Sequence, residues 1–146
     1  RGTLLVQVLD ARIEVVALVN AILEDVKATK SSETKFIVKL TPMVAVCKAF
    51  VDAIEIAAAP IIASQFHAEE PVAFKVITKV RNNSSLRPMA IVNAVCGIVG
   101  PGHPVNLVLP DKLIVVEVFQ SVAGITVLDF KQHQEFDGYN VRRLAE

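Results

Sequence analysis

Tryptophan is absent from the 146-residue chain and tyrosine occurs once, so aromatic stacking would have to rest on seven phenylalanines. Most of these fall at inward positions of periodic segments, and extensive stacking of nucleobases on exposed rings is not expected. The two cysteines, Cys47 and Cys96, form no Cys-x-x-Cys pair, which excludes a disulfide framework and suits a reducing compartment. Both read as small core hydrophobes at apolar helical positions. Formal net charge is zero, so bulk attraction to nucleic acid is not expected. Mean hydropathy is positive, yet no apolar run approaches the roughly 20 residues of a bilayer-crossing helix. The richest stretch, Ala53 to Ala63, is broken by Glu55 and Pro60, and no membrane partner is expected. The chain opens on Arg1-Gly2 with neither an initiator Met nor a signal-peptide pattern, and reads as a fragment. Asn82-Asn83-Ser84 and Asn83-Ser84-Ser85 match glycosylation sequons, but nothing else points to secretion.

What is present is hydrophobic side chain, 53% of residues, enough to bury one substantial core or two small ones sharing an interface. Charge is distributed unevenly. Pro71 to Pro110 holds no Asp or Glu but contains Lys75, Lys79, Arg81 and Arg87. Lys27, Lys30, Lys35, Lys39 and Lys48 form a second group opposed only by Glu33. A neutral protein with this distribution can still present a positive face.

Thr3 to Leu9 reads as a buried strand, followed by a helix over 11–27 capped by Asp10. Lys35 to Thr41 alternates, with Phe36, Val38 and Leu40 on one face, which predicts a second strand and hence a right-handed β-α-β unit. After Pro42, Cys47, Phe50, Val51, Ile54, Ala58, Ile61 and Ile62 trace one helical face, and Pro60 is expected to kink that helix or start another. Val72 to Arg81 is a strand with Lys75, Ile77, Lys79 and Arg81 outward. A helix opened by Pro88 follows and ends near Val99. Its small residues Ala90, Ala94 and Gly97 would let another backbone approach. Gly100-Pro-Gly-His-Pro is a turn cluster, and Leu113–Phe119 with Val122–Phe130 reads as a hairpin whose first strand is central. The tail from Gln132 is polar and ends in a short helix.

No catalytic constellation emerges. His67, His103 and His133 are isolated from metal-ligand spacing and read as structural or surface residues. Gly100-Pro-Gly-His-Pro follows a helix, lacks a Lys-Ser ending and has prolines where amide donors belong, so it is not a phosphate loop. Glu69 and Glu70 are adjacent and point apart in an extended setting, and there is no Gly-x-Ser-x-Gly elbow. Neither cofactor nor metal is expected.

The most informative stretch runs from Phe74 to Pro88. Alternate strand residues lie about 6.6 to 6.8 Å apart, so Lys75, Lys79 and Arg81 make a cationic row that Arg87 extends, suited to a phosphate backbone. Periodicity alone favours lysines that simply solvate an exposed face. A strand ending in Lys-Val-Arg-Asn-Asn, then a helix, Val105-Asn-Leu, Pro110-Asp-Lys, Ile114-Val-Val-Glu-Val-Phe and Val122-Ala-Gly-Ile-Thr-Val-Leu-Asp-Phe resembles the THUMP domain. Leu40-Thr-Pro-Met and Cys47-Lys-Ala-Phe resemble the entry to that domain in the THUMP adaptors of tRNA cytidine acetylation, and the likeness is collinear over nearly the whole chain.

The resemblance implies an α/β (α+β) fold: a partial ferredoxin-like domain over 1–43, lacking its first strand and helix, packed on a THUMP domain over 44–146 with a mixed sheet and flanking helices. It implies an intracellular protein, nuclear, nucleolar or cytoplasmic, that binds tRNA by its acceptor stem and 3′ end. Such a protein is no enzyme itself and presents the D-arm cytidine of serine and leucine tRNAs to a separate RNA cytidine acetyltransferase. Carried over, the basic strand end places Lys79, Arg81, Asn82 and Asn83 at the RNA surface, with Arg87 on the following helix and Lys48 as a further candidate; Lys75 of the cationic row and Lys35 and Lys39 of the second lysine group are added from the charge pattern. Asn106, Gln120 and Leu128 depart from the family's usual Asp, Lys and Lys. Two other expectations stand beside this one: the RNA-binding part of a larger enzyme such as a THUMP methyltransferase, and a protein-interaction module using the face of Ala90, Ala94 and Gly97.

Overall fold

The computed structural model describes residues 2–146. The chain divides into two compact units, one made of residues up to Pro42 together with Lys131–Glu146, the other of Met43–Phe130. The tail, placed with the second domain on sequence, thus groups with the beginning of the chain. Among the described residues no helix is long and apolar enough to cross a membrane.

In the first unit, α1 (Val15–Thr29) buries Val19, Leu23 and Val26 along one stripe and packs on α5 (Val141–Ala145). Its cap is Glu14, whose carboxylate accepts from the amides of Val16 and Ala17 at 3.0 and 2.7 Å. Asp10 instead binds Arg12 at 2.7 Å, so the expected cap is displaced by one turn of chain. The expected β-α-β unit does not form. Thr3 to Leu9 forms no strand and is largely exposed, and Lys35 to Thr41 contributes one bridge, Lys39 to Asn140. Phe36, placed inward by alternation, is 92% exposed. A strand needs a neighbouring ladder to satisfy its amides, and period-two patterning cannot supply one.

The second unit is a four-stranded mixed sheet covered on one face by two helices. Its elements are β1 (Ala45–Lys48), α2 (Val51–Gln65), β2 (Phe74–Arg81), α3 (Pro88–Val99), β3 (Lys112–Phe119) and β4 (Val122–Asp129), with α4 (Phe130–Glu135) following. The sheet order is β1-β4-β3-β2; β2 is parallel to β3, and both other pairs are antiparallel. The core joins Ile54, Ala58 and Ile62 of α2 and Ile91, Val95 and Val99 of α3 to Phe74, Ile114, Val116, Val118, Ala123 and Ile125 of the sheet. β3 is central, as its nearly continuous apolar run requires.

β1 is a strand where helical periodicity predicted the start of a helix, so Cys47 sits on a strand. Pro60 lies inside α2 without ending it. Proline offers no N–H to the carbonyl of Ile56; that residue lies on the exposed side of the helix, while Ile54, Ala58 and Ile62 hold the buried side. Gly97 meets nothing within 4 Å of a Cβ added to it, so no backbone approaches α3 there; the tight glycine is Gly124, where such a Cβ would lie 2.9 Å from Met43 Cγ.

Candidate nucleic-acid interface

The strand directions determine where the cations gather. Because β1, β2 and β3 run the same way and β4 runs against them, Lys48, Arg81 and Phe119 end three strands at one edge of the sheet. Register then sets Lys48 opposite Val122, Val122 opposite Phe119, and Phe119 opposite Arg81. These four residues form one row across the sheet, on the face away from α2 and α3, with an exposed cation at each flank. Three strand spacings of about 4.8 Å separate the flanking backbones, about 14 Å in all.

Both helices begin at this edge, since α2 follows β1 and α3 follows β2. Neither N-terminus is capped by a side chain, so their partial positive charge adds to that of the lysine and arginines. Asp52 in the first turn of α2 offsets part of it; α3 has no acid there, and its N-cap residue is the exposed Arg87.

The expected row along β2 holds together but is not uniform. Lys75, Ile77, Lys79 and Arg81 share the face opposite Phe74, Val76 and Val80. Arg81 is exposed, whereas Lys75 and Lys79 are half-buried, and Lys79 Nζ lies 3.7 Å from the Glu117 carboxylate on the neighbouring strand. Lys75 stands six residues before Arg81, about 20 Å along the strand, and belongs to the far end. Asn82 is exposed with φ of 52°, in the left-handed region. Asn83 is engaged within the protein: its Nδ2 donates to the Gln120 carbonyl at 2.8 Å, and its Oδ1 accepts from Ser85 and Leu86 amides at 3.0 and 2.9 Å. It ties the β2–α3 loop to the β3–β4 turn. Lys35 and Lys39 are exposed and lie in the first unit.

Two contributions to this edge escape sequence reading. One is the pair of uncapped helix starts, with Phe50 at the N-cap of α2 and Arg87 at that of α3. The other is Phe50, placed inward by helical periodicity, which is 63% exposed beside Lys48. The remaining expected roles are structural. His103 Nδ1 accepts from the Val72 amide at 3.0 Å and packs edge-on against Phe66. Asn106 accepts from the amides of Val108 and Leu109, a task its side-chain oxygen performs as an aspartate would. Gln120 occupies the two-residue hairpin turn, and Leu128 is buried. Among the described residues no three His, Cys, Asp or Glu side chains are grouped to hold a metal.

Comparison with known proteins bears directly on this edge. The THUMP domain family matches residues 48–128, more than half of the chain and nearly all of the second unit. The chain belongs to the THUMP domain family. THUMP domain-containing protein 1 of Mus musculus is 30% identical over 137 residues, covering 92% of this chain and 39% of that protein. The tRNA acetyltransferase TAN1 of Saccharomyces cerevisiae is 32% identical over 137 residues, covering 86% of this chain and 47% of its own length. The chain therefore spans less than half of either THUMP relative. The crystal structure of PH1313 from Pyrococcus horikoshii Ot3 shares the fold, with a TM-score of 0.52 at 22% identity over 63% of this chain and 32% of that one. The matched THUMP segment begins at Lys48 and contains the whole end row.

Proposed function

We propose that this chain is a tRNA-binding adaptor that turns over no substrate itself. It docks on the acceptor stem and 3′ end of tRNA and presents serine and leucine tRNAs to a separate RNA cytidine acetyltransferase for acetylation of a D-arm cytidine. The observation that carries this reading is the end row, in which Lys48 and Arg81 flank one edge of a rigid sheet where two uncapped helices start. Fixed cations at that spacing, with amide donors beside them, bind phosphates without sequence preference, leaving selectivity to RNA shape and unpaired bases. Membership of the THUMP family and the name of the yeast relative, a tRNA acetyltransferase, direct the reading to tRNA and to acetylation.

The test is a gel shift comparing intact tRNA with the same tRNA trimmed at its 3′ end, followed by reconstitution with the acetyltransferase. Salt-sensitive binding that weakens on trimming, together with acetylation that requires both proteins, is the expected result. Equal retention of both RNAs removes the 3′ end from the proposal, and absence of binding removes the function.

A further inference from the structure

We infer that Phe50 is a stacking platform for an unpaired nucleobase, with Lys48 beside it holding the phosphate of the same strand; this deepens the tRNA-binding reading and rests on it. Phe50 lines an open hollow with Val46, Cys47, Lys48, Ser121 and Val122. No carboxylate lines it, and its one charge is positive. The geometry comes from the turn between β1 and α2. Ala49 is buried and donates to the Ser121 carbonyl at 3.0 Å, while the Phe50 amide donates back to Lys48 at 2.9 Å, so the backbone bends and the ring is left outside the core. Of the phenylalanines in this unit, Phe66 and Phe74 are buried and Phe119 and Phe130 half-buried; only Phe50 is exposed.

The residue is also a poor choice for its local task. Phe50 is the N-cap of α2, a position that favours Ser, Thr, Asp or Asn, and it gives the helix no side-chain acceptor. A ring that neither caps the helix nor fills the core, and that adjoins a lysine in the cationic end row, is suited to a ligand that is both flat and anionic. Unpaired nucleotides have that combination, and base stacking on an aromatic face is tolerant of sequence. The same patch would serve a protein partner only if the lysine were incidental, and continuity with Arg81 along one row favours the nucleic acid.

The experiment compares a hairpin RNA bearing a short single-stranded 3′ tail with the blunt hairpin, using the intact chain. Phe50→Leu should weaken binding of the tailed RNA about tenfold and leave the blunt hairpin unchanged. Phe50→Trp should retain affinity; because the chain has no other tryptophan, its fluorescence should be quenched by the tailed RNA alone. Phe50→Asn supplies the missing cap, so it should melt no lower than the parent yet bind as weakly as Phe50→Leu, which separates stacking from folding. Tailed-RNA binding unchanged in Phe50→Leu, while Lys48→Ala weakens it, overturns the stacking site and leaves RNA binding intact. Loss in Phe50→Leu of acetyltransferase capture alone overturns it in favour of a protein contact. Failure of the unaltered chain to retain either RNA overturns both readings.

Discussion

Glu117 places its carboxylate 3.7 Å from the ammonium of Lys79 across the β2–β3 pair, so the middle cation of the basic strand already has a counter-charge. Both groups are partly exposed, and such a pair contributes at most about 1 kcal/mol. Removing the carboxylate should therefore cost little stability and release a positive charge on the face that bears Arg81. Glu117→Gln is expected to raise RNA affinity up to about fivefold and steepen its salt dependence. Filter binding across a salt series measures both; unchanged affinity would mean that Lys79 lies outside the RNA footprint.

The flanks of the end row should behave differently. Lys48 and Arg81 are exposed, and their side chains contribute little to the core. Lys48→Ala/Arg81→Ala should lower tRNA affinity irrespective of sequence and flatten the slope of log affinity against log salt by about 1.5, the release of two phosphate contacts. Lys75→Ala, about 20 Å along β2, should change the slope less. Equal effects from all three would place the RNA along the strand instead of across its end.

Asn83 tests the difference between contacting RNA and shaping the loop that does. Its three internal hydrogen bonds join two turns, and Leu86, one of its partners, is buried. Asn83→Ala should cost about 2 kcal/mol in denaturant unfolding. Asn83→Asp keeps the acceptor for Ser85 and Leu86 but loses the donor to Gln120, and should cost about half as much. An RNA-binding defect without any loss of stability would assign this side chain to the ligand.

Cys47 offers a pH test of the hollow. Burial pushes its thiol above the ordinary cysteine range. The thiolate is the reactive form, so a raised pKa means a smaller reactive fraction at any given pH. Alkylation of Cys47 should accordingly be slow near neutrality and accelerate only above the pH at which an unfolded cysteine already reacts. Mass-spectrometric labelling across pH in native and denatured protein follows this; coincident profiles would show the thiol to be unperturbed.

How far the sequence could be read depended on the strength of local patterning. β2, α3, β3 and β4 are legible because each has strong periodicity, and β3 and β4 are joined by a two-residue turn. β1 was hidden because four strand residues precede α2 without a turn signal, and Cys47 and Phe50 continue the helical pattern of Val51 and Ile54. Thr3 to Leu9 and Lys35 to Thr41 carry strand composition but gain no ladder among the described residues, and propensity alone does not make a strand. The basic face of β2 followed directly from alternation. Its electrostatics did not, since Glu117 becomes the partner of Lys79 only through the β2–β3 register, and Lys48 joins Arg81 only through β4.

Gln120 shows the same limit at the level of one backbone angle. The family resemblance marks this position as a site where lysine is usual, yet its role here is set by φ of 53° in the two-residue turn closed by Phe119 and Val122. An L-residue in that region is strained by about 1 kcal/mol relative to glycine. The contacts it makes are from its backbone: its amide donates to Arg81 at 3.0 Å and its carbonyl accepts from Asn83. Gln120→Gly retains both bonds and relieves the angle, offset in part by the greater freedom of glycine in the unfolded chain. The variant should be up to about 1 kcal/mol more stable in urea unfolding. Gln120→Val should be less stable than the parent, because a β-branched side chain is least compatible with positive φ. If both variants lose stability equally, the Gln120 side chain itself supports the turn.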